Sequence, residues 1–332
     1  MDSETLKNNV DIDRSDSTLQ KLEEIIVNRE NKYPLFQRYR ALFSLKGLGT
    51  KEAANIIIKG KFIIFCRLNS LPAVREEKTS ELFKHELAYC LGQLQSKESI
   101  PLLKELISDK DEFVMVRHEA AEALGAISEQ ETIKILQDHL QDECKELADT
   151  CYLAIKKIDI ETKEYSAEAK TLNQNIYGSI DPVPSLQRGK SVSELRDIIS
   201  DQKADLFDRY TAMFALRDNA TPAAVEALVE ALESDSTSAL FRHEIGFVFG
   251  ELQDKLAVPA LTRVLANSSE HSMVRHEAAE ALGSIIGAES VLEVLSHYST
   301  DPDMVVRDSC IVAIDMYKYE NSNEFQYAII PS

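Results

Sequence analysis

Residues 116–125 read V-R-H-E-A-A-E-A-L-G, and residues 274–283 read V-R-H-E-A-A-E-A-L-G. The ten positions are identical and lie 158 apart. A second His-Glu pair precedes each copy: His85-Glu86 opens H-E-L-A-Y-C-L-G, and His243-Glu244 opens H-E-I-G-F-V-F-G. The interval from His85 to His118 is 33 residues, and so is the interval from His243 to His276. Four of the seven histidines are followed by Glu, while His139, His271 and His297 are not. The chain therefore carries two matched couples of His-Glu pairs, one couple in each half.

Aligning the chain on the first-His position reveals the rest of the frame. Tyr39, His85, His118 and Asp149 occupy it in the first half, and Tyr210, His243, His276 and Asp308 in the second. The intervals are 31 to 33 residues except from Tyr39 to His85, which is 46. That excess points to an insertion or longer helices near residues 51–77. Each unit holds two helical patterns. In S-I-P-L-L-K-E-L-I-S, residues 99–108, apolar side chains fall at 100, 102, 103, 106 and 107, an amphipathic spacing. Pro101 suits a first helical turn. A second helix is expected from about 115 to 127, with Ala120, Ala121 and Ala123 allowing a neighbouring helix to approach closely. Such a hairpin cannot bury its apolar face alone, so units must stack. No strand pattern competes. The expected fold is all-α, a HEAT-like α-solenoid of eight helix-hairpin repeats in two facing halves. The expected boundaries are 1–157 and 191–320 for the halves, with a linker at 158–190 that Pro182 and Pro184 keep from being one helix, and a tail at 321–332.

Composition narrows the function classes. The 332 residues are 44% hydrophobic and 28% charged, with 11 Gly, 9 Pro and no Trp, which describes a globular helical chain. No apolar run is long enough to span a bilayer, and residues 1–16 lack the apolar centre of a secretory signal. The formal net charge of −19 argues against a nucleic-acid partner, whose phosphates need a basic face. It favours either plain solubility or the steering of a basic partner. The five cysteines form no C-x-x-C. Cys90, Cys151 and Cys310 fall within repeat helices, as expected of reduced, buried thiols in a cytoplasmic protein.

Equivalent positions of neighbouring repeats lie on one face of a solenoid, about 10 Å apart between helix axes. His85-Glu86 and His118-Glu119 should therefore stand together, and so should His243-Glu244 and His276-Glu277. Two His with one carboxylate and open positions is the facial triad of non-haem iron, and two such sets facing each other would make a dinuclear centre. V-R-x-x-A-A-x-A-L-G by itself is a generic stacking pattern, and Arg117, Arg275 and Arg307 are assigned to stacking. The His-Glu pairs differ, because the outer unit at each end of either half keeps the frame but carries Tyr or Asp instead. Structural zinc prefers cysteine-rich sites, and H-E-A-A-E lacks the second His of H-E-x-x-H. No nucleophile elbow or Gly-rich phosphate loop is present.

Four His-Glu pairs in a two-halved HEAT-repeat chain resemble the deoxyhypusine hydroxylases. The resemblance runs from about residue 35 to 317. It includes K-H-E-L-A-Y-C-L-G-Q at 84–93, M-V-R-H-E-A-A-E-A-L-G at 115–125 and 273–283, F-R-H-E-I-G-F-V-F-G-E-L at 241–252 and S-I-D-P-V-P at 179–184. It implies an O2-dependent monooxygenase with two ferrous ions per chain. The substrate implied is the deoxyhypusine side chain on the precursor of translation initiation factor 5A, a basic protein, and the product is hypusine. An electron donor is needed that the sequence does not name. By the family's motif, His85, His118 and Glu119 hold one iron, and His243, His276 and Glu277 hold the other. Glu86 and Glu244 face the substrate. Met115 and Met273, one turn before His118 and His276, either line the pocket beside oxygen or fill the core. The location implied is cytoplasmic, with nuclear access open. The competing readings are a non-enzymatic HEAT scaffold for a basic protein, a chromophore lyase built on similar short repeats, and a metal-dependent hydrolase on the same ligands.

Overall fold

The computed structural model describes residues 15–60, 80–162, 175–187 and 189–322. Among them lie sixteen α-helices, three single 3-10 turns and no strand. The helices run as outer and inner partners of successive hairpins, consistent with the eight units expected. The inner helices, which carry the aligned positions, are Leu35–Leu48, Glu81–Gln93, Val114–Ile127 and Lys145–Thr162 in the first half. In the second half they are Leu206–Asn219, Ala239–Leu252, Ser272–Ser284 and Met304–Glu320. No helix of the described residues is long and apolar enough to cross a membrane. The residues around the longer interval fall largely at 61–79, outside the described residues, as do Cys66 and most of the tail.

Local sequence sets the helix ends. Thr50, Ser80, Ser191, Thr221 and Ser238 accept backbone N–H groups at N-termini, and Pro101 and Pro222 sit in first turns. The repeat arginines tie each hairpin shut. Arg38, Arg117, Arg209 and Arg275 donate to the carbonyls of Ile26, Ile107, Ile199 and Leu265, the ends of the preceding outer helices. Three of them also reach the next unit, Arg117 to Asp142, Arg209 to Asp235 and Arg275 to Asp301. This is the stacking role expected for Arg117 and Arg275. Ala123 does what was expected of it as well. A Cβ placed on Gly92 would lie 2.8 Å from the Cα of Ala123, and one on Gly125 would lie 2.8 Å from the Cβ of Ala154. Inner helices thus approach backbone to backbone, which holds equivalent positions of adjacent repeats closer than ordinary packing allows.

The halves meet at both ends. Met304–Glu320 packs on Leu35–Leu48 and Glu81–Gln93, while Lys145–Thr162 packs on Leu206–Asn219 and Ala239–Leu252. Arg40 grips Asp315 with two hydrogen bonds of 2.7 and 2.6 Å, Ser80 donates to Asp308 at 2.8 Å, and Tyr152 donates to Asp205. The segment 175–187 then pins the halves together. Gln93 exchanges two hydrogen bonds with the backbone of Ile180. The fully buried Arg217 holds Asp181 with both terminal nitrogens at 2.7 Å and Glu251 at 2.8 Å. A buried guanidinium needs this many acceptors to offset its lost hydration. The inner faces of the two halves are consequently turned toward each other.

Candidate metal centre

Each histidine is the fifth residue of an inner helix, past the first turn, where its backbone N–H is already paired within the helix and only the side chain is free to bond. His118 and His276 are 0% exposed, and His85 and His243 are also buried. The rings of His85 and His118 have centroids 5.5 Å apart, and those of His243 and His276 5.2 Å. Across the halves, His85 lies 5.3 Å from His276 and His118 lies 5.5 Å from His243. Four imidazoles from four helices therefore share one cluster. Glu119 Oε2 is 3.1 Å from His85 Nε2, and Glu277 Oε2 is 3.4 Å from His243 Nε2 and 3.8 Å from His276 Nε2. His85 Nδ1 donates to Glu86 at 3.2 Å.

The side chains assigned from sequence come together, but not in two equal sets. His243, His276 and Glu277 offer ligand atoms within 4.8 Å of one another. In the first half, Glu119 groups instead with His118 and Glu122, while His85 groups with His118 and His243 across the interface. Glu122 and Glu280 were missed from the sequence. Each lies four residues after a repeat histidine, hence on the same helix face, and that spacing inside the repeated decapeptide was the available signal. Met115 and Met273 are buried in the apolar core and do not line the cavity. The choice left open for them resolves to core packing.

A cavity of about 300 Å³ opens onto the cluster. Glu86, Glu119, Glu122, Glu244, Glu251, Glu277 and Glu280 line it, together with Phe43, Tyr89, Phe247 and Met316. Tyr177, Ser179, Ile180 and Pro182 form part of the wall, so a stretch expected only to connect the halves also shapes the site. Burial depresses the basicity of His118, His243 and His276 well below the usual imidazole range, and neighbouring imidazoles add to this. Burial acts on His85 in the same direction, but the adjoining Glu119 and Glu86 carboxylates outweigh it and hold His85 well above that range. Burial pushes Glu122 up to about 8, with the Glu119 charge adding to it, and Glu277 up to about 8, with Glu86 adding to it.

Seven of the eight ring nitrogens in the cluster are buried without a hydrogen-bond partner, and so is Glu280 Oε1. Unsatisfied buried polar atoms cost about 1–3 kcal/mol each, and the clustered carboxylates add mutual repulsion. A cation bound among them relieves both penalties. The donors are imidazole and carboxylate without thiolate, which suits iron better than structural zinc.

The chain matches the family described as HEAT repeats at residues 70–155 and 225–315, and the PBS lyase HEAT-like repeat at 208–234. It is 44% identical to the deoxyhypusine hydroxylase of Danio rerio over 314 residues, spanning 95% of this chain and 96% of that protein. It is also 44% identical to the deoxyhypusine hydroxylase of Candida albicans over 322 residues, with the same coverage. The solved structure of human deoxyhypusine hydroxylase in complex with glycerol is 41% identical and superposes with a TM-score of 0.79, over 92% of this chain and 98% of that one. Full-length relatives of one name, a shared fold and a His-Glu cluster at its centre agree, and this chain belongs to the deoxyhypusine hydroxylase family.

Proposed function

We propose that this protein hydroxylates the deoxyhypusine side chain of translation initiation factor 5A, with two irons per chain, O2 as co-substrate and electrons from an external donor. The observation that carries the reading is the convergence of four buried imidazoles, seven of whose eight ring nitrogens lack a hydrogen-bond partner among the described residues. His85, His118 and Glu119 would hold one iron, and His243, His276 and Glu277 the other. When bound, iron supplies the activation of O2, with one oxygen atom entering a C–H bond and the other leaving as water. The protein's own part is positioning. The substrate side chain is a long diamine with ammonium groups, and Glu86 and Glu244, both buried and on the cavity wall, accept them by charge-assisted hydrogen bonds. Phe43, Tyr89, Phe247 and Met316 give the methylenes an apolar wall and exclude water, which strengthens those contacts. Fixing the chain in this way chooses the carbon presented to the oxidant.

The net charge of −19 supports steering of a basic protein substrate. In this reading residues 1–157 and 191–320 are the two working halves, 158–190 joins them, and 321–332 is peripheral. The four described cysteines are free thiols, in keeping with a cytoplasmic protein that can also enter the nucleus. A non-enzymatic scaffold leaves the orphaned nitrogens unexplained.

The deciding experiment measures iron in the purified protein and hydroxylation of factor 5A carrying deoxyhypusine, in wild type and His118→Ala. Two irons per wild-type chain and conversion to hypusine are expected, with iron and conversion both falling in the variant. Wild-type protein that holds no iron and cannot be loaded with it would overturn the assignment. A variant with full iron would remove His118 from the ligand set.

A further inference from the structure

Residues 179–185, S-I-D-P-V-P-S, do more than connect the halves. Pro182, Val183, Pro184 and Ser185 are buried, which is unusual for a connecting segment, and the two prolines stiffen it. Side chains from the helices that carry His85 and His243 hold its start from opposite sides. Gln93 accepts from the Ile180 N–H at 2.8 Å and donates to the Ile180 carbonyl at 3.2 Å. Glu251 accepts from the Ser179 hydroxyl, and from Arg217 at 2.8 Å. Gln93 lies eight residues after His85, and Glu251 eight residues after His243. They are thus equivalent positions of the two halves, each about 12 Å along its helix from the histidine.

Asp181 sits at the centre of this grip. Arg217, 0% exposed, holds both of its carboxylate oxygens at 2.7 Å, a bidentate fit that fixes direction as well as distance. Asn175 donates to the same carboxylate at 2.7 Å, and Lys157 donates to the Asp181 backbone carbonyl. Lys157 and Gln93 belong to the first half, Arg217 and Glu251 to the second. A buried network satisfied from both sides makes a rigid joint. Its effect is visible in the cluster. Ring centroids across the halves are 5.3 and 5.5 Å apart, matching the 5.5 and 5.2 Å found within a half. Within a half that spacing follows from backbone contact between adjacent helices. Across the halves, the helices of His85 and His243 face each other over the cavity, with Tyr89 and Phe247 meeting at 6.1 Å. Ring contact of this kind leaves the separation adjustable, and the grip on residues 179–181 removes that freedom.

Resting on the proposed function, we propose that Gln93, Asp181 and Arg217 are positioning residues: through residues 179–181 they set the separation of the two half-sites, so that two metal ions bound there form one coupled pair and not two isolated ions. They act through the helices, whose rigid backbone carries a shift at Gln93 or Glu251 to His85 or His243. In the proposed ligand sets each ion takes its residues from one half. Loosening the joint therefore leaves each ion its ligands and changes the distance between the ions. Dinuclear centres hold their metals about 3.5–4 Å apart, and a misplacement of about 1 Å is enough to cost roughly a hundredfold in rate.

The test compares iron-loaded wild type with Gln93→Ala, Asp181→Asn and the double variant. Gln93 is half-buried at a helix end, so its truncation leaves the core and the Arg217 ion pairs in place. Iron content, melting temperature, hydroxylation rate and the electron paramagnetic resonance of the air-oxidised protein are measured. A coupled pair of ferric ions is silent in that resonance, whereas isolated ferric ions give a strong signal. Wild type should hold two irons with little signal. The variants should also hold two irons, with the isolated-ion signal risen severalfold and the rate fallen roughly ten- to hundredfold. The double variant should add little to Asp181→Asn, since both changes act through one segment. Variants with two irons and wild-type silence would overturn the proposal. So would a signal that grows only in step with lost iron and lost melting temperature, which is the behaviour of a purely structural joint. Should Asp181→Asn fail to fold, Gln93→Ala alone decides between these outcomes. Wild type without iron defeats the proposed function and this proposal with it, whereas coupled iron in wild type with indifferent variants defeats only the positioning role.

Discussion

Two glycines at equivalent positions should respond to the same substitution with opposite signs. Gly250 and Gly283 lie near the ends of adjacent inner helices, 33 residues apart. A Cβ on Gly283 would stand 2.8 Å from the Cα, the Cβ and the carbonyl oxygen of Ala313. Ordinary carbon contacts lie near 3.5–4.0 Å, so Gly283→Ala must push Ser272–Ser284 and Met304–Glu320 apart. Overpacking of this kind costs about 1–3 kcal/mol, and the helix propensity of Ala returns at most about 1 kcal/mol. A Cβ on Gly250 would meet Ala281 Cα at 3.7 Å and Ser284 Oγ at 3.8 Å, ordinary contacts. Gly250→Ala should therefore keep the propensity gain without the clash. The two variants should differ by roughly 1–3 kcal/mol, or about 2–4 °C in Tm for a chain of this length. Thermal melts by circular dichroism at matched protein and metal concentrations read the difference directly. Gly283→Ala melting at or above Gly250→Ala would refute the claim that backbone contact sets the spacing of the repeats, and with it the argument for why the histidines stand so close.

Two further outcomes can be checked. A Cβ on Gly246 would lie 2.9 Å from Glu277 Cγ, so Gly246→Ala should displace that carboxylate and lower iron occupancy by up to half while Tm falls little. Full occupancy would show that Glu277 does not need this gap. For metal-free protein, burial raises Glu122 and Glu277 from ordinary values to about 8, so the folded state keeps protons that the unfolded state releases. Their contribution is present at low pH and is lost as pH rises through about 8. The three histidines lowered by burial run the other way, but their effect is complete above the unfolded imidazole value of 6.5. Metal-free protein should thus lose stability between pH 6.5 and 8, and iron should reverse the trend because it needs the same groups deprotonated. A flat chelated profile over that window would contradict the burial of these carboxylates.

The repeat frame was readable because it is local. Amphipathic spacing, the first-turn prolines and the repeated arginine belong to each hairpin and do not depend on its neighbours, so the interval between His85 and His118 already named the helices that would adjoin. The four His-Glu pairs were legible for the same reason, since stacking places equivalent positions side by side whatever else the chain does. Glu122 and Glu280 were visible as part of the decapeptide but had no assigned task, because in one helix alone a second Glu is an ordinary solvated residue. Only when the facing half approaches does that carboxylate come to line a cavity shared with the histidine cluster. The asymmetry between the sets, with Glu119 turned to His85 and Glu277 between His243 and His276, was also beyond the sequence. Identical decapeptides predict identical sites, and it is the packing around them that differs.

The sequence by itself determined the all-helical repeat architecture, the pairing of histidines within each half and the family, because each of these follows from spacing along the chain. Tertiary structure alone decided how the halves face each other, which carboxylates gather around one cavity, and that Tyr177, Ser179, Ile180 and Pro182 form part of its wall. Those features depend on contacts between positions up to 275 residues apart, such as Arg40 with Asp315, and on the loss of water from between two acidic faces. No local periodicity encodes either one.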